Sequence, residues 1–177
     1  MIKLVNLLKE NNKILIPRRS PEERQKNYII TIQKKIQQYI KDGSKGNLDL
    51  SDTQITFLPD NLKVGRNLFL SNTAITSLPD NLQVKGDLFL SNTAITSLPD
   101  NLKVGGSLNL FKTAITSLPD NLEVGGNLIL HGTKITSLPN NLKVEGNISL
   151  TQTPMSKKYT EKQIQKMAPG VKGNIYT

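Results

Sequence analysis

The chain contains no cysteine. This excludes a disulfide framework, a thiolate nucleophile and any zinc site built on cysteine. There is no tryptophan, aromatic residues make up 5% of the sequence and hydrophobic residues 36%. That is thin for a globule with one central core, and it suits a chain whose units contact only their neighbours. No apolar run approaches the roughly 18 residues of a membrane span. The amino terminus, MIKLVNLLKENNKILIPRR, is interrupted by Asn6, Lys9 and Glu10. It lacks the about 7–15 uninterrupted apolar residues and the small-residue cleavage site of a secretory signal. The expectation is a soluble, cytoplasmic protein that makes no membrane contact. No glycine-rich loop leads from a strand into a helix, since the Gly-Gly pairs at 105–106 and 125–126 open strands instead, so a phosphate-cradling loop of the nucleotide-binding kind is not expected.

What the sequence does have is one phrase of twenty residues, repeated. Residues 65–84 read GRNLFLSNTAITSLPDNLQV, and 85–104, 105–124 and 125–144 are near copies. A looser copy, KGNLDLSDTQITFLPDNLKV, precedes them at 45–64, and EGNISLTQTPMS begins a decaying one at Glu145. A short fixed period means a solenoid. In 65–84 the apolar positions are Leu68, Leu70, Ile75, Leu78, Leu82 and Val84. Leu68 and Leu70 alternate with Asn67, Phe69 and Ser71, the period of two of a half-buried strand. Stacking one such strand per repeat in register gives a parallel sheet with strands about 4.8 Å apart. No unit folds alone, because burying so few apolar side chains does not offset the backbone entropy of twenty residues.

The remaining letters of the phrase read as turn chemistry. Gly46, Gly86, Gly106, Gly126 and Gly146 precede the strands, with Arg66 the exception, and glycine is expected to let the chain bend sharply there. Pro59, Pro79, Pro99, Pro119 and Pro139 hold extended segments on the other side. Asp60, Asp80, Asp100 and Asp120 open turns and are each followed by Asn. Aligned turn by turn, these carboxylates invite comparison with a calcium ladder, but asparagine and backbone alone would have to complete it, and the turn-forming role is the stronger reading. Thr53, Thr73, Thr93, Thr113, Thr133 and Thr153 are expected to point inward and bond to the backbone of a neighbouring turn.

The ends differ from the middle. Residues 1–45 hold 11 Lys and Arg against 4 Asp and Glu, residues 46–153 hold 7 against 9, and residues 154–177 hold 5 against 1. The net charge of +9 therefore lies in the two ends. IKLVNLL reads as a short helix and KILI (13–16) as a short strand, and Pro17 stops whatever precedes it. Residues 20–42 carry a clear helix. Ser20 caps it, Pro21 suits its first position, Glu23 completes a capping box and Gly43 ends it. Ile29, Ile32, Ile36 and Ile40, with Tyr28 and Tyr39, form one apolar stripe. Such a helix either covers the open end of the first repeat or meets a membrane or partner, and the cover is favoured. At the other end Thr160 caps a helix over 161–167 that Pro169 and Gly170 terminate. VKGNIYT (171–177) then repeats the letters that begin each strand and predicts a last one. The organisation expected is an amino-terminal cap over 1–44, repeats over 45–155 and a carboxyl-terminal cap over 156–177, all one folded unit.

The pattern L-x-L-x-x-T-x-I-x-x-L-P-x-x-L, running through residues 45–155, resembles the leucine-rich repeat in its shortest bacterial form. The LPxxL signature is similar to that of secreted effectors of Gram-negative pathogens and of repeats in phage proteins. The resemblance implies a right-handed leucine-rich repeat solenoid with one parallel β-strand per 20-residue repeat on the concave face, extended convex segments, a helical N-terminal cap and, here, a helix-plus-strand C-terminal cap. It also suggests a protein that acts on a host partner after delivery into a host cell. The family usually carries Asn where this chain has Thr. Some of its effectors carry a ubiquitin-ligase domain with a catalytic cysteine, and without a cysteine that activity is not implied.

In such a sheet the residues between the paired leucines face outward: Asp49, Phe69, Phe89, Asn109, Ile129 and Ser149. The next column reads Ser51, Ser71, Ser91, Phe111, His131 and Thr151, and the preceding one Asn47, Asn67, Asp87, Ser107, Asn127 and Asn147. Phe69, Phe89, Phe111 and Ile129 form an apolar patch with a polar rim, the usual mark of a contact site. The alternative is that these side chains simply stack across strands. Asp49, Phe69, Phe89, Asn109, Phe111, Ile129 and His131 are thus the candidate protein-binding residues. His131 has no acidic partner at a fixed spacing, and Asp49 and Asp87 differ in register, so neither points to acid–base catalysis. No catalytic residue, cofactor or metal is expected. Arg18, Arg19, Arg24, Lys26, Lys34 and Lys35 form a second candidate, a polyanion or nucleic-acid patch whose affinity would fall with salt. Against it, the aromatics that would stack on bases lie on the neutral repeats.

Overall fold

The computed structural model describes residues 20–100 and 102–177. The short helix and strand expected within residues 1–16 lie outside them, as do Arg18 and Arg19. The repeats coil into a parallel-strand solenoid of about five turns, preceded by a helix and closed by helix and strand. One sheet has seven strands: β1 (Leu48–Asp49), β3 (Leu68–Phe69), β5 (Leu88–Phe89), β7 (Leu108–Asn109), β9 (Leu128–Ile129), β11 (Ile148–Ser149) and β12 (Ile175–Tyr176). The register advances by one repeat at each step, Leu48 opposite Leu68 and Leu68 opposite Leu88.

The expectation of a single strand per repeat is corrected. Each full turn has a second short strand just before the bend, β2 (Lys63–Val64), β4 (Gln83–Val84), β6 (Lys103–Val104), β8 (Glu123–Val124) and β10 (Lys143–Val144), and these pair into a five-stranded sheet. Two residues are too few to leave a period-two signature in the sequence. The pairing is nonetheless regular, with Gln83 N–H donating to Leu62 C=O and Lys85 N–H to Val64 C=O, both at 3.0 Å.

Four of the five glycines before the strands, Gly86, Gly106, Gly126 and Gly146, act by size and not by bending the chain. Among the five, only Gly46 has a positive φ, +82°. At Gly86 a Cβ would fall 2.2 Å from Asn67 Oδ1 and 2.9 Å from the Arg66 carbonyl carbon. At Gly106 the same atom would meet Asp87 Oδ1 at 2.2 Å and the Gly86 carbonyl carbon at 2.8 Å. Successive turns touch here through backbone, so only hydrogen fits. The corner after each strand does use positive φ: Asp52, Asn72, Asn92, Lys112, Gly132 and Gln152 occupy it, and Asn61, Asn81 and Asn121 do the same in the turn after the prolines.

The core is one cluster running the length of the coil. Leu68, Leu70, Ile75, Leu78, Leu82 and Val84 are all buried, as are their counterparts in the following turns, and Ile36 at one end and Ile164 and Ile175 at the other join the same cluster. The threonines are buried too, from Thr73 to Thr153. Their bonds correct the expectation of a link between turns: Thr73 Oγ1 donates to Leu70 C=O at 2.7 Å and Thr113 Oγ1 to Leu110 C=O at 2.9 Å, both within one turn.

Helix α1 (Pro21–Lys41) starts on the expected capping box, with Ser20 Oγ accepting from Glu23 N–H and Glu23 accepting from Ser20 N–H. Gly43 ends it at φ +81°. It covers the first turn through buried Ile36, with Ile32 and Tyr39 half-buried beside it. Tyr39 Oη bridges the carbonyls of Ser44 and Gly46 and accepts from Gly65 N–H at 3.1 Å. Ile29, Tyr28 and Ile40, expected in the same apolar stripe, stay exposed.

At the far end α2 (Pro154–Lys158), capped by Thr153, was not foreseen; α3 (Glu161–Met167), capped by Thr160, has the expected bounds. The helices lengthen the last turn to a 27-residue step, after which β12 pairs with β11. Among the described residues no helix is long and apolar enough to cross a membrane.

Candidate binding face

The seven-stranded sheet brings the expected column together. Asp49 lies opposite Phe69, Phe69 opposite Phe89, Phe89 opposite Asn109, Asn109 opposite Ile129, and Ile129 opposite Ser149. Their side chains point away from the core because the strand alternates, burying Leu68 and Leu70 on one side and leaving Phe69 half-buried on the other. The Phe69 and Phe89 rings stack at 4.8 Å between centroids and 2° between planes.

The next column carries a second pair. Phe111 stacks on His131 at 5.1 Å and 18°, with Lys112 Nζ 5.0 Å from the Phe111 centroid. The His131 Nδ1 contact is the Thr151 hydroxyl. Asn109 Oδ1 accepts from Phe111 N–H and from Ser91 Oγ, both at 3.0 Å. It ties the two columns together, as Asp49 Oδ1 does for Ser51 N–H one end away. The face thus has two aromatic pairs set in polar surroundings. These rings are stacked and half-buried, so cross-strand packing accounts for part of their burial.

The third column has a role that its letters concealed. Asn47, Asn67 and Asp87 each accept a backbone N–H from the residue one turn on, namely Asn67, Asp87 and Ser107. Ser107, Asn127 and Asn147 do the same for Asn127, Asn147 and Asn174. What the six share is an acceptor oxygen of short reach, so this column forms a hydrogen-bond ladder between turns. A shorter ladder runs along the corner, Asn72 Nδ2 donating to Asp52 Oδ1 and Asn92 Nδ2 to Asn72 Oδ1.

Of the cations proposed for the amino-terminal patch, Arg24, Lys26, Lys34 and Lys35 lie on α1 within the described residues. Lys35 Nζ donates to the Asp49 carbonyl and so closes the free edge of the first strand. Lys26 borders a shallow depression with Pro21, Glu22, Gln25 and Ile29, and Lys34 is exposed. Arg24 is exposed as well.

One feature that sequence reasoning missed is a groove of about 530 Å³ between α1 and the first turn, lined by Tyr28, Ile29, Ile32, Ile55, Phe57 and Ala74. Phe57 is 61% exposed. The signal was available: Phe57 stands where later copies have Ser77, Ser97, Ser117 and Ser137.

Charge is distributed unevenly over the second sheet. Glu123 is flanked by Lys103 at 3.1 Å and Lys143 at 3.0 Å, and Lys172 lies against Glu145. The hydrogen bonds from Lys143 and Lys103 hold the Glu123 carboxyl below its ordinary value. Among the described residues no three His, Cys, Asp or Glu side chains converge as a metal site would require. No protein-family model matches the chain, and no curated protein matches it significantly.

Proposed function

We propose that the chain is a leucine-rich repeat of the short LPxxL type, coiled in the right-handed sense, and that it works as a non-catalytic module docking a protein partner on the concave face of its seven-stranded sheet. One observation carries the reading. Across turns that are otherwise near copies, the two outward columns of this face change letters from turn to turn, and they set paired aromatic rings there, Phe69 on Phe89 and Phe111 on His131. A buried scaffold position is held constant by packing, whereas an outward column that changes from turn to turn is what recognition of a partner requires. Stacked rings are rigid and already partly desolvated, which lowers the entropy lost on docking.

The test is affinity capture from lysate, with and without nuclease, using the wild type and the double variant Phe69→Ser, Phe89→Ser. Ser already follows the buried residue at Ser149 in the same column, so the variant is expected to fold. A partner held by the wild type under both conditions and lost by the double variant supports the reading. A folded double variant that captures the same partner overturns it, and capture that disappears with nuclease transfers the activity to nucleic acid.

A further inference from the structure

The corner where α1 gives way to the coil holds a second, unassigned feature. A cavity of about 590 Å³ opens beside the first two turns, and Lys45, Lys63, Arg66 and Lys85 line it together with Ser44 and Gln83. Gly43, Gly46 and Gly65 also line it, contributing no side chains. Among the described residues that line it there is no Asp or Glu. The nearest carboxylate in the sequence, Asp42, is turned to the helix and accepts from Gln38 Nε2 at 2.7 Å.

This arrangement contrasts with the rest of the same sheet. Further along, Lys103 and Lys143 share Glu123, and Lys172 has Glu145. Among the described residues, the lysines and Arg66 around the corner cavity take part in no ion pair. Three of them stand in columns where other turns carry glycine. Arg66 replaces the glycine found at Gly46, Gly86, Gly106, Gly126 and Gly146, while Lys45 and Lys85 stand in a column that carries glycine at Gly65, Gly105 and Gly125 and a carboxylate at Glu145. At Gly105, Gly106, Gly125 and Gly126 a Cβ would meet backbone. Lys45, Arg66 and Lys85 converge on one cavity and each adds positive charge. Packing does not call for them, and like charges gathered without a counter-charge cost stability.

We propose that this corner binds a small ligand carrying several phosphate groups. The volume lies within the about 300–1,000 Å³ of small-molecule sites. The number of cations suits a di- or triphosphate better than a single phosphate. Arg66 supplies the planar fork that grips phosphate oxygens through paired hydrogen bonds, and the lysines supply point charge. The glycines leave backbone close to the ligand. This site lies on the five-stranded sheet and is independent of the docking face proposed above.

The experiment is calorimetric titration of the full chain with sodium tripolyphosphate, against sodium sulfate at matched ionic strength. Two double variants accompany the wild type. Arg66→Gly, Lys85→Gly restores the letters of the other turns, so the fold is kept, which a thermal melt checks. Lys103→Gln, Lys143→Gln removes equal charge from the same sheet away from the cavity. We expect tripolyphosphate to bind the wild type more tightly than sulfate and to weaken as salt is added. The first variant should lose about tenfold or more in affinity, and the second should match the wild type. Displacement of bound tripolyphosphate by a short oligothymidylate would support the site with a phosphodiester as its source, and no displacement would support it with a free polyphosphate. Tripolyphosphate binding no tighter than sulfate, or equal losses in both variants, overturns the proposal.

Discussion

Arg66 and Gly106 occupy the same place in the coil two turns apart, and the chain treats them differently. A Cβ at Gly106 would lie 2.8 Å from the Gly86 carbonyl carbon. Arg66 sits exposed over Gly46, whose φ of +82° takes the backbone on another course, while the Arg66 N–H still reaches Gly46 C=O at 2.9 Å. Phe57 and Ser77 form a second such pair, since the aromatic ring faces the groove beside α1 and the later turns carry only a serine. The middle turns are pressed on both sides by copies of themselves, and the letters at their contact points must satisfy the stacking. The first turn has a helix on one side, and it is there that Gly46 takes its positive φ and Phe57 replaces the serine of later turns.

The sharpest way to break that contrast is to add a side chain at one place and remove it at the other. Gly106→Val is expected to cost about 3 kcal/mol or more, because the clash is with backbone that has no rotamer to change. Arg66→Gly should change stability by less than about 0.5 kcal/mol. Chemical denaturation of both variants checks it, and equal effects would erase the distinction between the turns.

Next in size is the core. Leu110→Ala, in the middle, should cost about 2–5 kcal/mol. Ile36→Ala, at the end where the helix is half solvated, should fall at or below the low end of that range. A smaller difference is expected for the threonines. Thr113→Val leaves the Leu110 carbonyl with one donor fewer in a buried corner and should cost about 1 kcal/mol. The equivalent Thr53→Val, in the half-buried first turn, should cost less.

The smallest effect concerns charge. The Glu123 carboxyl is held below its ordinary value in the folded chain by Lys143 and Lys103. A lowered folded value means that its contribution is present at neutral pH and is lost as the pH falls through that value. Glu123→Gln should therefore melt slightly below the wild type at neutral pH. The gap should close in acid and also with added salt, because the pairs are exposed. Melting curves at two pH values and two salt concentrations measure it.

Much of this was legible in the letters. The twenty-residue period gave the stacking, and the six apolar positions of 65–84 are buried together. Ser20 and Glu23 announced the helix start and Thr160 the later helix, because capping is local chemistry. What escaped was whatever depends on the neighbouring turn. Glycine at 86 and 106 looks the same in sequence whether it bends the chain or makes room, and only the contact with the turn below decides it. The Asn, Asp and Ser of the ladder column vary in name while sharing one acceptor function, so the ladder could not be read from the letters alone. The short second strands had no periodicity to display. On the candidate face the columns and their register were foreseen. The division of the aromatics into two stacked pairs was not, because it depends on which rings the register brings side by side.

The docking face is tested most directly by the dissociation constant of the captured partner on purified components. The wild type, Phe69→Ser, Phe89→Ser and Phe57→Ser are compared. The account predicts that the Phe69, Phe89 variant loses about thirtyfold or more in affinity, the scale of an aromatic anchor, while Phe57→Ser binds like the wild type. Unchanged affinity in the first variant, with the loss appearing in Phe57→Ser, would contradict it and move recognition to the groove beside the amino-terminal helix.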